Sequence, residues 1–178
     1  MNPLQIQPLE ETDRWRLRRH FKSLDAHDRH LRFGLALSDV AIDDYIDLIN
    51  FDTDALFGAN GIGFTLVALV HVAPVGDGAE LGLSVHPEFR RQGVGGALFA
   101  RAIDWARRRR LHTIYMHCLR ENQAIMHLAT SHGMTLTSAG PDSNAVLLLP
   151  LVDFETWNVE HALHWQAPLE PLDPSDVI

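Results

Sequence analysis

Residues 4–9 alternate apolar and polar side chains, the period of a half-buried strand, and residues 10–22 then switch to a helical period with Trp15, Leu17 and Phe21 set among charges. Two more short helices are predicted over 24–37 and 40–49. Each has a capping candidate, Ser23 or Asp25 for the first and Ser38 or Asp39 for the second, whose side-chain oxygens accept from first-turn N–H groups. A partly β-branched apolar run over 64–72, the turn Pro74-Val75-Gly76-Asp77-Gly78 and a second run over 80–85 predict a hairpin.

The strongest helix signal covers 94–110, where Val94, Ala97, Leu98, Ala102, Trp105 and Ala106 fall on one stripe. A strand over 113–118 follows, then a helix over 121–131 that ends at Gly133. Strands over 134–137 and 145–151 are predicted to close the sheet across Gly140-Pro141-Asp142. A helix over 154–165 and an acidic tail over 167–178 complete the chain. The order β, three α, ββ, α, β, α, ββ implies a mixed, mostly antiparallel central sheet flanked by helices, an α+β (loosely α/β) fold in a single domain, 1–178.

Composition narrows the function classes. At 178 residues and 46% apolar, the chain buries one sizeable core. A formal net charge of -8 argues against a general nucleic-acid binder and favours a cationic or amine-bearing partner. Cys118 is the only cysteine, so no intrachain disulfide forms, and a reducing cytoplasm is the expected compartment. Neither a leader pattern nor an apolar run of about 20 residues is present, so no membrane segment is expected.

The chemistry concentrates at Arg90-Arg91-Gln92-Gly93-Val94-Gly95-Gly96, a glycine-rich turn between a strand and the strongest helix. Unpaired N–H groups and the positive end of the helix dipole converge there, which makes an anion site suited to phosphate. A Walker A loop would need Lys and then Ser or Thr after the last glycine, where Ala97 and Leu98 stand. A dinucleotide fingerprint would need a third glycine at Leu98.

The remaining pattern, Arg/Gln-x-x-Gly-x-Gly/Ala directly after a strand, is met by Arg90, Gly93 and Gly95 behind Val85-His86-Pro87-Glu88-Phe89, and it resembles the GNAT N-acetyltransferase superfamily. Glu121-Asn122-Gln123-Ala124 through Leu128 to Gly133-Met134 is similar to that family's second cofactor motif. Residues 28–33, the Glu80 strand and Met126-His127-Leu128-Ala129 resemble the branch that includes bacterial protein lysine acetyltransferases.

The resemblance implies acetyl-CoA as cofactor. Its pyrophosphate would lie on Gln92 to Gly96, with Arg90 and Arg91 available to phosphate groups and Asn122 to the pantetheine arm. It also implies direct transfer of an acetyl group to a primary amine, on a small molecule or on a protein lysine or N-terminus. An ammonium of pKa about 10.4 must lose a proton first. Glu80 is the candidate base, with Asp77 and Glu88 as rivals and a solvated strand-start glutamate as the plain alternative. Backbone N–H groups near Leu83 to Val85 would hold the oxyanion.

One position departs from the family. The tyrosine that usually protonates the departing thiolate is replaced by Ala129, so Tyr115, water or the substrate must serve, and Tyr115 also reads as a strand core residue. Ala129 keeps open a different function, a non-catalytic acyl-CoA-binding sensor or regulatory module. Another acyl donor such as succinyl-CoA would alter the pocket and leave the phosphate turn alone. The acceptor pocket is expected from residues 24–50 and the closing strands.

Other residues read more plainly. The eleven histidines, His86 included, give no compact ligand set, so no metal is expected. Arg107 to Arg110 complement a helix C-terminus, and Cys118 reads as a small buried apolar residue. Trp157 and Trp165 either close the core or line a contact between two copies of the chain.

Overall fold

Alternation of side chains lets one sheet carry two cores, and the computed structural model, which describes residues 5–139 and 142–150, has that arrangement. The strands are β1 (Ile6–Leu9), β2 (Ala55–Asn60), β3 (Leu66–Val75), β4 (Gly78–Val85), β5 (Thr113–Leu119), β6 (Thr135–Ala139) and β7 (Asp142–Leu148). They form a seven-stranded sheet ordered β1-β2-β3-β4-β5-β7-β6. Every neighbouring pair is antiparallel except β4 and β5.

Helices α1 (Arg14–Ser23), α2 (Ala26–Phe33) and α3 (Asp39–Asp47) pack on one face, where Leu17, Phe21, Ile42 and Ile46 meet Leu56 and Leu69. Helices α4 (Val94–Arg108) and α5 (Gln123–Ser131) pack on the other, where Leu98, Phe99 and Ala129 meet Val70, Leu81 and Ile114. Each buried Leu, Ile or Phe contributes roughly 1.5–3 kcal/mol, so both helical layers are held mainly by apolar burial. Asp25 and Ser38 cap α2 and α3, accepting from Asp28 N at 2.8 Å and Ala41 N at 3.2 Å.

Three local features go beyond the sequence reading. Strand β2 falls in a stretch to which the sequence reading assigns no element. In the sheet Gly58 serves close approach, since a Cβ there would overlap the side chain of Leu66. The β3–β4 turn is tighter than expected, with Pro74 and Val75 already paired to Ala79 and Gly78. Trp15 is 59% exposed, because α1 turns Leu17 and Phe21 to the core instead.

The expected helix over 154–165, the tail over 167–178, Trp157, Trp165 and the turn residues Gly140 and Pro141 lie outside the described residues. Among the described residues no helix is long and apolar enough to cross a membrane.

Candidate functional site

The parallel strands β4 and β5 pair only at Gly78–Thr113, Ala79–Ile114 and Glu80–Tyr115. Beyond Glu80 and Tyr115 both continue without pairing to each other, β4 to Val85 and β5 to Leu119, so the sheet opens as a wedge. On its other edge β4 stays bonded to β3, and His86 N donates to Val67 O at 2.9 Å. Hydrogen-bonded pairs alternate along an antiparallel ladder, which directs Ser84 and Gly82 to β3 and turns the N–H groups of Leu83 and Val85 into the wedge.

The wedge opens into a cleft of about 660 Å³, whose walls include Leu83, Val85, Val94, Asn122 and Leu128. Its far end is the glycine turn. Arg91 has φ 58° and Gly93 has φ 80°, left-handed values that curl successive N–H groups toward one point. No side chain caps α4, so the first amides of this 15-residue helix face the cleft unbonded by any cap. A Cβ on Gly95 would meet Leu83, Val85 and Leu128 at 3.6–3.8 Å, so the missing side chain leaves room at the cleft floor.

Around the turn the cations divide. Arg90 Nη2 pairs with Asp28 Oδ1 at 2.7 Å, and its Nε donates to Val85 O at 3.0 Å. Asp28 is only 5% exposed, so Arg90 ties α2 to the end of β4, a structural role that the phosphate expectation did not include. Arg91 lines the cleft and has no ion-pair partner among the described residues. Gln92 turns its side chain back to Glu88 O at 3.0 Å, leaving only its backbone near the turn. Asn122 caps α5, accepting from Ile125 N at 3.1 Å, and reaches Leu31 O at 3.4 Å.

Glu80 and Tyr115 stand at the vertex of the wedge, on the face opposite α4 and α5. With His117 and Asn144 they line a smaller cavity of about 290 Å³. Tyr115 is 40% exposed, which corrects its reading as a core residue, and its ring leans over Gly78, away from Leu83. Exposure follows from position, because among the described residues no helix covers the β5 side of this face. Cys118 points the other way, is 1% exposed, and has its thiol pushed up to about 11 by burial.

Two polar groupings on the α1–α3 face carry no sequence signal. His20 is 2% exposed, with Nδ1 donating to Leu66 O at 3.0 Å and Nε2 accepting from the Ser84 hydroxyl at 2.9 Å. His71 Nε2 donates to Asp54 at 2.9 Å, and Nδ1 accepts from Tyr45 Oη at 2.8 Å. Tyr45 Oη in turn accepts from Arg32 Nη2 at 3.1 Å. Burial lowers the pKa of His71, against the opposing pull of Asp54.

Burial lowers His20 from 6.5 to about 4, with a measurable consequence. The unfolded chain takes up a proton at this imidazole below about pH 6.5, and the folded chain only near pH 4. Its contribution is therefore fully present above pH 6.5 and is lost as the pH falls through that window, about 3 kcal/mol in all. Urea melts at pH 7 and pH 4.5 should show this loss, and His20→Asn should flatten the slope. An unchanged slope in the variant would assign the acid sensitivity to other groups.

A family model described as the acetyltransferase (GNAT) family matches residues 14–134. No curated protein matches the chain at a significant level. Among solved structures, the GNAT domain of S. lividans PAT is similar at a TM-score of 0.71 and 19% identity, over 82% of this chain and 90% of that one. Spermidine N-acetyltransferase from Vibrio cholerae, in complex with CoA and spermine, is similar at 0.64 and 20% identity, over 82% and 95%. Ribosomal-protein-alanine N-acetyltransferase from Brucella melitensis is similar at 0.63 and 18%, over 82% and 100%. Identities at this level carry the fold alone.

Proposed function

The chain belongs to the acetyltransferase (GNAT) family, and from that premise we propose that it transfers an acetyl group from acetyl-CoA to a primary amine, with Glu80 as the base. The observation that carries this is the wedge between β4 and β5, with Glu80 at its vertex and the uncapped start of α4 at its far end.

The fit to CoA rests on chain features. The amides from Gln92 to Gly96 and the unpaired Arg91 suit pyrophosphate, and the space above Gly95 admits it. Asn122 and the N–H group of Val85 suit the amide-rich pantetheine arm. Bound there, acetyl-CoA supplies an activated thioester.

Glu80 takes up the ammonium proton, so that a neutral amine attacks. Of the two wedge-facing N–H groups, that of Leu83, nearer the vertex, stabilises negative charge as it develops on the carbonyl oxygen, and that of Val85 is left to the pantetheine arm. Tyr115 leans toward Gly78 and Ala129 is buried, so the second proton lost by the attacking nitrogen is the one that reaches the departing sulfur, directly or through water. The open cavity beside Glu80 admits the acceptor from the α1–α3 side of the sheet.

The test is thiol release from acetyl-CoA across a panel of polyamines, amino acids and a lysine-bearing protein, beside calorimetric titration with CoA. Turnover with at least one amine is expected. Ala129 favours a second reading, a non-catalytic acyl-CoA sensor. Micromolar CoA binding with no turnover on any acceptor would favour it, and absence of CoA binding would defeat both.

A further inference from the structure

We propose that the guanidinium of Arg32 receives a carboxylate carried by one of the two substrates, on the acyl chain or on the acceptor amine. This rests on the acyl-transfer reading above and names the class of substrate.

Arg32 leaves the last turn of α2 and lays its guanidinium against β4 at Gly82, where a Cβ would overlap it. Gly82 is thus a notch in the sheet that only this residue type leaves open. It lies two residues past the vertex glutamate and next to Leu83, and Arg32 lines the same large cleft as Leu83 and Asn122. The guanidinium also lies 4.8 Å from the ring centroid of Phe33 and 5.8 Å from those of Phe21 and Tyr45. Aromatic faces favour the cation and strip water from it.

The guanidinium has no direct ion pair. Among the described residues no carboxylate pairs with Arg32, and its Nε is buried without a partner. On the same layer of helices, Arg16, Arg18 and Arg29 each hold an aspartate. Asp28, the acid within the cleft wall, is already engaged by Arg90. Glu80 shares the face of β4 with Gly82 yet makes no ion pair with Arg32. A planar cation that lines a substrate cleft, is partly desolvated and has Nη1 without an acceptor is matched by a carboxylate, which takes a charge-assisted N–H bond.

The side chain is held for that task. Tyr45 Oη accepts from Nη2, and its hydroxyl hydrogen goes to His71, which Asp54 fixes from behind. Arg32 is therefore oriented from three elements, α3, β3 and the loop before β2, with Nη1 left without an acceptor among the described residues and Nε enclosed. Tyr45, His71 and Asp54 are positioning residues.

The experiment has two arms on the full chain, each with wild type, Arg32→Gln and Arg32→Lys. In the donor arm, calorimetry compares succinyl-CoA with butyryl-CoA, which differ chiefly by the carboxylate. In the acceptor arm, acetyl transfer to amino acids is compared with transfer to their decarboxylated amines, such as histidine with histamine. One arm should show at least a tenfold wild-type preference for the carboxylate, lost in Arg32→Gln and partly kept in Arg32→Lys. No preference in either arm, or one that survives Arg32→Gln, overturns the proposal. Should Arg32→Gln fail to fold, Tyr45→Phe keeps the charge and should cut the preference several-fold. CoA is titrated alongside: binding without carboxylate preference sinks this inference alone, whereas no CoA binding sinks the acyl-transfer reading with it.

Discussion

Glu80→Gln is expected to lower kcat for acetyl transfer about a hundredfold at neutral pH while CoA affinity holds, because a positioned base typically contributes 10²–10⁴-fold. The substitution keeps the shape of the side chain at the vertex and removes only its capacity to accept a proton. An alkyl amine of pKa about 10.4 is almost wholly protonated at pH 7, so the variant depends on the small free-amine fraction. Its rate should therefore climb with pH about tenfold per unit where wild type has begun to level. Single-turnover kinetics from pH 6.5 to 9 read both features. Equal rates in the two proteins at every pH would remove Glu80 from the mechanism and leave the exposed carboxylate as a solvated strand residue.

Gly95→Asp is expected to weaken CoA binding more than a hundredfold without unfolding the protein. The added Cβ meets Leu83, Val85 and Leu128 at ordinary contact distances, so the backbone accepts it. A carboxylate in the first turn of α4 is favourable to the helix, by roughly 0.3–1 kcal/mol through the dipole, so the melting temperature should hold or rise. The same carboxylate stands where phosphate oxygens are expected. Two like charges about 4 Å apart at an effective dielectric near 20 repel by about 4 kcal/mol, close to a thousandfold in affinity. Opposite movements of stability and affinity distinguish this from general damage. Retained CoA affinity would place the phosphates elsewhere.

How far the sequence carries depends on the range of the signal. The turn from Arg90 to Gly96 and the amphipathic stripe of α4 are local patterns, and the folded chain keeps both where periodicity and spacing put them. The hairpin of β3 and β4 is local too, and only its turn was drawn too long. Strand β2 carries a glycine at position 58, a residue type unfavourable in strands, whose place there is explained only by Leu66 filling the space of the missing side chain. The ion pair of Arg90 with Asp28 joins residues far apart in the chain, and so does the chain from Asp54 through His71 and Tyr45 to Arg32. Such contacts depend on how helices settle on a sheet, which no window of periodicity encodes. Tyr115 shows the same limit: alternation gives its face, and its exposure depends on where the helices among the described residues settle on the sheet.

The short seam between β4 and β5 has a thermodynamic side. Among the described residues the ladder between β4 and β5 has three residue pairs, with His112 N donating to Asp77 O just outside it, and α4 and α5 pack across the seam through side chains. Anything that fills the wedge and touches both strands acts as a missing stretch of ladder. Folding and ligand occupancy are then linked, and at a hundredfold excess over Kd the linkage is worth about 2.7 kcal/mol. If acyl-CoA is that ligand, as proposed, the empty and the occupied protein should be two different objects to a protease, the second much the harder to open along its seam.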